Sequence, residues 1–317
     1  MAFLGRGKAK LLLFGEHAVV HGYSALGCAL PGSVTARWEP SDSPLELKLP
    51  LDYEPLVRDA FLRAAAAFGI AAPTGVLEVE GDIPPGSGFG SSGALCAALA
   101  RVLFASLSRA SGAADEARGI DELWRAANEA ERLFHGSPSG VDTGLALLGG
   151  IQHIRPGVSF PPRAQSLQPA GCTLVYGAVP RLSSCAANVA AVGAAMRAGD
   201  KRMADAMAKL GRLADEAASL FDGGYNAKAP AALGALADDA QNVLRSLGLS
   251  TPTLDDLLAA GMEAGALGGK LSGGGGGGAF WLACKNIESA QTIARLLKAR
   301  AKALALPGDA YIGRLPL

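Results

Sequence analysis

The stretch I-P-P-G-S-G-F-G-S-S-G-A at residues 83–94 constrains the fold more than any other part of the sequence. Its prolines and glycines exclude regular structure before Ser91, whereas residues 92–107 are rich in Ala and Leu and strongly favour a helix. A glycine-rich loop therefore leads directly into a helix N-terminus. Backbone N–H groups at such a start, approached without an intervening Cβ, suit a bound phosphate.

This loop matches neither of the two common phosphate-binding motifs. No G-K-[ST] follows it, so it is not a Walker loop. Positions 86, 88 and 91 read Gly, Gly and Ser, which fits a dinucleotide fingerprint poorly. An ordinary flexible turn is the alternative. The hydroxyls of Ser91 and Ser92, which either cap the helix or reach a metal ion or phosphate, favour anion binding.

Composition excludes several classes of protein. The 317 residues are 50% hydrophobic and 18% charged, with 29 basic and 29 acidic side chains and a net charge of zero. We expect a folded chain of about two domains without a nucleic-acid partner. The five cysteines form no C-x-x-C pair, the N-terminus lacks a signal peptide's apolar stretch, and no run of 18 apolar residues occurs. These features predict a soluble cytoplasmic protein that does not bind membranes.

Strand and helix patterns alternate without a regular βαβ rhythm, which favours an α+β fold over a doubly wound sheet. One helix is expected at 121–134, with Asp121 as its N-cap. Residues 155–170 carry four prolines and show no clear period. We place the division between two domains there, giving residues 1–165 and 166–317.

Six consecutive glycines at 273–278 stand between Lys270-Leu271-Ser272 and an apolar strand pattern at 279–284. A solvated low-complexity loop is the alternative interpretation. The tight anchoring at a strand favours a loop that packs against another loop or a ligand, because so many glycines are costly in regular structure.

Two carboxylates flank the H-G-S-P-S-G turn at 135–140. Glu131 precedes the turn and Asp142 follows it, and the turn's proline and glycines fold the chain back so that both can face one pocket. Spacing alone favours a different interpretation. In that interpretation Glu131 shares a solvated helix face with Glu129 and Arg132, and Asp142 caps the next segment.

Lys10 precedes an apolar run at 11–14, so its amine is either paired or extended to solvent. His17 and His21 are four residues apart, as in helical metal pairs. No third ligand is evident, and Gly15 and Gly22 favour a turn over a zinc site.

Four ordered segments resemble the signature regions of the GHMP small-molecule kinases, and most closely those of the members that phosphorylate mevalonate. They are K-A-K-L-L-L-F-G-E-H-A-V-V-H-G-Y (8–23), I-P-P-G-S-G-F-G-S-S-G-A (83–94), E-R-L-F-H-G-S-P-S-G-V-D (131–142) and K-L-S-G-G-G-G-G-G (270–278). One glycine-rich loop alone would be a weak signal, whereas four segments in the family's order are a strong one.

The resemblance implies an ATP- and Mg²⁺-dependent kinase that phosphorylates the primary hydroxyl of mevalonate. Asp142 would be the catalytic carboxylate with Lys10 beside it, and Ser92 and Glu131 would coordinate Mg²⁺. The residues implied for the ATP phosphates are Pro85, Gly86, Ser87, Gly88, Phe89, Gly90, Ser91 and Ser92. Those implied for the substrate are Glu16, His17, Ser183, Ser184, Gly273 and Gly274.

The implied fold has an N-terminal domain like ribosomal protein S5 domain 2 and a C-terminal α/β-plait-like domain, with the site between them. Three departures from the family pattern occur. Lys8 and Ala9 replace a Pro and a Gly, no basic residue follows the hydroxyls in P-R-L-S-S-C (180–185), and the usual G-L-G-S-S-A-A is G-F-G-S-S-G-A (88–94). The missing basic residue keeps open a kinase for a related or already phosphorylated alcohol such as phosphomevalonate. A non-catalytic nucleotide-binding relative is a separate alternative. Family members often form homodimers, which the sequence does not decide for this chain.

Overall fold

The computed structural model describes residues 1–111, 119–157, 159–306 and 313–317. Within these ranges the chain is a mixed α/β fold built on two sheets. The strands are β1 (Phe3–Phe14), β2 (Ala25–Glu39), β3 (Glu46–Lys48), β4 (Val76–Gly81), β5 (Ile151–Arg155), β6 (Arg163–Leu167), β7 (Thr173–Val179), β8 (Gly268–Leu271), β9 (Gly278–Cys284) and β10 (Gly313–Pro316). The helices are α1 (Glu54–Ala67), α2 (Ser91–Ser111), α3 (Ile120–His135), α4 (Val141–Leu148), α5 (Cys185–Arg197), α6 (Lys201–Ser219), α7 (Ala229–Ser246), α8 (Pro252–Glu263) and α9 (Ile287–Ala303).

The first sheet has the strand order β3-β4-β2-β5-β6, and β1 pairs with β2. β1 alternates between buried and exposed positions up to Lys8 and is buried throughout from Ala9 to Phe14. Helix α2 lies directly on this strand, because Gly5 and Gly7 offer no side chain and a Cβ at either would collide with the helix backbone. This close approach brings the N-terminus of α2 beside the second half of β1.

The second sheet is antiparallel with the order β10-β7-β9-β8. All seven positions of β9 are buried, since strands flank it on both edges. Helix α7 packs against β8 at Gly234 and Gly268, where the two backbones meet without intervening side chains. This sheet holds the hexaglycine segment between β8 and β9.

The first sheet ends at Leu167, and the second begins at Thr173. The division predicted at residue 165 falls inside β6, two residues before that strand ends. We propose that the two domains of the fold divide within the link formed by residues 168–172.

One local prediction is wrong. Helix α3 begins at Ile120 with Gly119 as its N-cap, and Asp121 lies in the first turn, where its charge suits the helix dipole. The stretch 155–170, in which the sequence shows no clear period, contains β6. The first four of the five positions of β6 are exposed, so the strand has no alternating apolar pattern that the sequence could reveal.

One helix within the described residues is long and apolar enough to cross a membrane by length and composition alone. It covers Ser91–Arg109 in α2, and 56% of its window is buried inside the protein. Its packing against β1 and α3 makes it a central helix of the first domain, and a core helix gives this same signal.

Candidate active site

Lys10 and Asp142 form an ion pair at the centre of the candidate site. Lys10 Nζ lies 3.0 Å from Asp142 Oδ1, and the two side chains are 5% and 29% exposed. Asp142 stands in the first turn of α4, behind the left-handed N-cap Gly140. Because the carboxylate supplies a partner, Lys10 stays buried and the alternative of an amine extended to solvent is wrong.

The charge on Asp142 is stabilised by its neighbours. Burial by itself would raise the pKa of the Asp142 carboxyl, but the positive charges of Lys10, His135 and Arg181 together hold that pKa below its usual range. Asp142 is therefore a carboxylate at neutral pH. It is ready to accept a hydrogen bond or a proton.

Glu131 lies on the buried face of α3, with 1% of its surface exposed. Its Oε1 accepts a hydrogen bond from Ser92 Oγ at 2.8 Å and lies 3.2 Å from His135 Nε2. The interpretation from spacing, a solvated Glu131 beside Glu129 and Arg132, is wrong. Those two residues pair with each other on the exposed face instead.

Three side chains close to one another offer ligand atoms for a cation. One ligand atom from each of Glu131, His135 and Asp142 lies within 4.8 Å of the others. Among the described residues, Oε2 of Glu131 has no hydrogen-bond partner although it is buried. A buried, unpaired carboxylate oxygen next to the Ser92 hydroxyl is a donor set that Mg²⁺ accepts, so these residues fit the expected ion.

The glycine-rich loop before α2 lies against Lys10. Gly86, Gly88 and Gly90 all have positive φ, at 74°, 92° and 75°. A Cβ at Gly90 would stand 2.6 Å from Lys10 Cγ, so only glycine lets the lysine lie along the loop. The loop is fixed by its backbone, since Phe89 O accepts from Lys10 N at 2.9 Å.

Two residues of this loop contribute less than expected through their side chains. The ring of Phe89 is 1% exposed and packs edge-on against Tyr176 at 5.6 Å, which leaves only its backbone to face a phosphate. Ser87 Oγ donates to Pro84 O at 2.7 Å and so closes the turn. The opening of the loop is therefore lined by backbone groups and by the start of α2.

Arg181 is a site residue that the sequence interpretation missed. Its Nε donates to Gly86 O at 3.0 Å and its Nη1 lies 3.5 Å from Gly275 O, so one guanidinium connects both glycine-rich loops. Its charge also acts on Asp142. We expected a basic residue after Ser183 and Ser184, whereas the chain places one before them.

The hexaglycine segment packs against the 180–188 segment, as predicted for a loop anchored at a strand. Gly274 lies against Cys185, and its carbonyl accepts from Asn188 Nδ2 at 2.9 Å. Ser183 Oγ bonds to Asn188 Oδ1 at 3.1 Å, beside Gly276. Each of these close approaches leaves no space for a Cβ.

Ser183, Ser184 and Gly273 differ in how open they are to a ligand. Ser184 Oγ caps α5 by accepting from Ala187 N at 3.1 Å, so its hydroxyl already serves the helix. Ser183 belongs to the network around the hexaglycine segment. Gly273 has a φ of 83° and open space around it.

Glu16 and His17 stand where β1 leads into the turn before a short 3-10 helix, Ala18–His21. His17 is 5% exposed, and among the described residues neither ring nitrogen has a hydrogen-bond partner. Burial lowers the pKa of His17 to about 4, so the ring is neutral at neutral pH. No metal cluster includes His17 or His21 in the part of the chain described here.

Glu16 is enclosed rather than open to a ligand. It is 1% exposed, and its carboxylate pairs with Lys270 Nζ across 254 positions of sequence. Burial raises the pKa of the Glu16 carboxyl and lowers the pKa of the Lys270 amine, while their mutual attraction opposes both shifts. The sequence contains a signal for His135, four residues after Glu131 on one helix, but none for this distant pair.

Comparison with known proteins gives a consistent result. Residues 55–150 match the family model for the GHMP kinases N terminal domain, and residues 225–303 match the one for the GHMP kinases C terminal. The chain is 30% identical over 297 residues to mevalonate kinase of Aeropyrum pernix, covering 85% of this chain and 84% of that protein.

Solved structures agree on the fold. The crystal structure of L. major mevalonate kinase in complex with R-mevalonate superposes with a TM-score of 0.78 at 21% identity, covering 98% of this chain and 94% of that one. Streptococcus pneumoniae phosphomevalonate kinase has a TM-score of 0.74 at 17% identity, covering 99% and 100%. At such identities the likeness concerns the fold and does not separate the two substrates.

Proposed function

Because the chain belongs to the GHMP kinase family, we propose that it transfers the γ-phosphoryl group of ATP to the primary hydroxyl of mevalonate, giving 5-phosphomevalonate. The observation that carries the proposal is the Lys10–Asp142 pair at 3.0 Å beside the buried Glu131 and the glycine-rich loop. Phosphoryl transfer needs a phosphate cradle, a cation site and a carboxylate for the hydroxyl proton, and this arrangement has residues of each kind.

Asp142 accepts the proton of the substrate hydroxyl while the oxygen of that hydroxyl attacks the γ-phosphorus. The bond between that phosphorus and the β–γ bridging oxygen breaks, and ADP leaves. Lys10 lowers the pKa of the hydroxyl and stabilises the charge that develops on its oxygen. Its amine is held by Asp142 at 3.0 Å, so acid and base groups keep a fixed mutual position.

Ser92 and Glu131 would hold Mg²⁺, which neutralises phosphate charge and orients the triphosphate when bound. The loop from Pro85 to Ser91 and the N-terminus of α2 offer backbone N–H groups to the phosphates. Arg181, which already joins Gly86 to the hexaglycine segment, adds positive charge on the same side.

His17, Ser183 and the glycines at 273 and 274 form the substrate side of the site. His17 is buried and neutral, and the Gly274 backbone lies close enough to act on its ring. Ser183 is better placed than Ser184, whose hydroxyl caps α5. Glu16 acts on the substrate only indirectly, because its buried carboxylate is paired with Lys270.

We also propose a cytoplasmic location. All five cysteines are free thiols, and four of them are buried, which suits a reducing compartment. Fractionation of the source cells, followed by detection of the chain, tests this point.

A substrate panel tests the proposed activity. Purified protein with Mg²⁺ and ATP is given mevalonate, phosphomevalonate, galactose or no alcohol, and ADP release is measured, with Asp142→Asn as the inactive control. We expect release with mevalonate alone. Turnover with phosphomevalonate would replace the proposed substrate, and binding of ATP without any turnover would favour the non-catalytic alternative.

A further inference from the structure

Strand β1 has one edge that no strand within the described ranges covers. Its other edge pairs with β2, and along the open edge the backbone groups of alternate residues point outward. Lys10 N donates to Phe89 O, and two residues later Leu12 bonds to Ser272. The phosphate loop and the hexaglycine motif therefore occupy consecutive positions of one strand edge.

Ser272 takes the place of a neighbouring strand at this edge. Its Oγ donates to Leu12 O at 2.8 Å and accepts from Leu12 N at 3.1 Å. The residue is fully buried, and its own N donates to Ala279 O at 2.8 Å in the second sheet. The Ser272 hydroxyl thus fixes the position of β1 relative to the second sheet.

Lys270 makes a second attachment further along β1. Its Nζ pairs with the Glu16 carboxylate and donates to Leu271 O at 2.6 Å. The amine lies 5.7 Å from the Phe14 ring centroid and 5.9 Å from that of Trp281. Both charged side chains are completely buried, so neither contacts solvent and the surrounding residues hold the pair in place.

The residue after Glu16 has a strained backbone. His17 has φ 59° and ψ −42°, and Ala18 N donates to Glu16 O at 2.6 Å, which closes a γ-turn centred on His17. A γ-turn with positive φ is rare and persists only where its surroundings hold it. Glu16 is the first residue of this turn, and its ion pair with Lys270 holds it in place.

We propose that Lys270 and Ser272 are positioning residues that fix the end of β1, so that Lys10 and His17 face the reacting groups. Neither residue touches substrate. Ser272 acts on the strand two residues from Lys10, and Lys270 acts through Glu16 on the turn at His17. The inference rests on the proposed function.

Stability alone does not account for the buried pair. Replacing a buried ion pair with apolar side chains of similar volume is often neutral or stabilising, whereas removing one partner is strongly destabilising. The proposal therefore gives this fully buried pair a geometric role.

The first experiment compares Ser272→Ala with Ser272→Thr, which keeps the hydroxyl. Asp215→Asn is the matched control, because its 3.0 Å contact with His153 also joins the first sheet to a helix of the second half of the chain. We expect Ser272→Ala to lower kcat about 10- to 100-fold, as a small misplacement of catalytic groups does. Ser272→Thr and the control should stay near wild type. Equal losses in Ser272→Ala and Asp215→Asn would overturn the role of Ser272.

The second experiment uses Lys270→Met alone and together with Glu16→Leu. The single variant should be unstable, and the double variant should regain its melting temperature because no unpaired charge remains buried. If Lys270 positions His17, the KM for mevalonate stays raised about tenfold or more in the stable double variant. Recovery of KM together with stability would show a merely structural role and overturn the proposal.

A spectroscopic readout keeps this test separate from the proposed function. The His17 imidazole, assigned by NMR against a His17→Gln reference, is expected to titrate at about 4 in the wild type. Loss of the Lys270 charge by itself raises the pKa of His17, and Lys270→Met measures that part; in the double variant the pKa should move further towards 6.5, because the ring also leaves its buried position. An unchanged His17 titration would contradict the positioning role even if the wild type phosphorylated no alcohol at all.

Discussion

Lys10 Nζ lies 3.0 Å from Asp142 Oδ1, and this contact joins the middle of β1 to the first turn of α4. The lysine is 5% exposed and the aspartate 29%, so the carboxylate is the partner that remains open. In the proposed mechanism the substrate hydroxyl meets the open side of the Asp142 carboxylate, and Lys10 lies on its buried side.

The variant Lys10→Met should shift the pH dependence of turnover. Burial raises the pKa of Asp142, and Lys10 is the main charge that opposes this effect. Without Lys10 the pKa rises, so the ionised base is lost at a higher pH and the acid limb of the kcat profile moves upward. A pH–rate profile measures this shift. The exposed Lys48→Met is the control, and an unmoved acid limb in Lys10→Met would contradict the assignment.

Asp142→Asn should remove the proton acceptor, and it should also lower the melting temperature because the buried Lys10 loses its charged partner. We expect kcat to fall about 10²- to 10⁴-fold, the usual share of a general base, with a smaller change in KM. Steady-state kinetics and thermal melting check the two parts of this prediction. Turnover close to wild type would assign the base to another residue.

Glu131→Gln should raise the Mg²⁺ concentration needed for half-maximal activity. The buried, unpaired Oε2 is lost as an anionic ligand, and we expect an increase of about tenfold or more. Glu129→Gln is a matched control on the exposed face of the same helix, where Glu129 forms an ion pair with Arg132. Equal Mg²⁺ dependence in the two variants would exclude Glu131 as a ligand.

Arg181→Gln should weaken ATP binding. The guanidinium joins Gly86 O to the neighbourhood of Gly275, and its loss frees both loops and removes a charge near the phosphates. The KM for ATP should rise about tenfold, in keeping with hydrogen bonds to charged groups. Arg181→Lys should recover only part of the loss, because an ammonium cannot span both carbonyls. Arg202→Gln, an exposed arginine bonded to Ser246 O, serves as the reference, and an equal KM in both glutamine variants would count against Arg181.

Gly90→Ala should damage the site more than Gly69→Ala. Both glycines have φ 75°, so both alanine variants bear the same backbone strain of about 1 kcal/mol or more. A Cβ at Gly69 meets open space, whereas one at Gly90 meets the Lys10 side chain. Chemical denaturation and kcat measured on both variants separate strain from displacement of Lys10. Similar kcat values would show that Lys10 tolerates the displacement.

The order of elements was largely predictable because glycine and proline mark their ends. The loop at 83–90 and the helix after it follow directly from composition, and the hexaglycine segment marks the link between β8 and β9. Segments whose ends carry no glycine or proline were less predictable. The short, mostly exposed strand β6 has no period, so the sequence assigned its residues to a domain link.

The helical spacing around Glu131 contains a signal for its burial. Leu123, Trp124, Ala127 and Glu131 lie at helical spacing on one face of α3, and all are buried. This spacing places the Glu131 carboxylate on the buried face of α3. Neighbouring charges at 129 and 132 instead suggested a solvated face.

Other parts of the site depend on contacts between distant segments. Lys270 and Glu16 are 254 positions apart, and Arg181 and Gly86 are 95 apart. No local propensity encodes such pairs, because they form only when the two domains meet. The motif resemblance supplied Lys10 and Asp142, whereas Arg181, Lys270 and Ser272 required the structure.

Product identification by NMR tests the central claim most directly. Wild-type protein is incubated with Mg²⁺, ATP and mevalonate, and the mixture is followed by ³¹P and ¹H spectra beside Asp142→Asn. We predict ADP and a new phosphomonoester in equal amounts, with the ester phosphorus coupled to the C5 methylene protons, and an initial rate of ester formation about 10²- to 10⁴-fold lower in the variant. An ester at another position, or an equal initial rate with Asp142→Asn, would contradict the account.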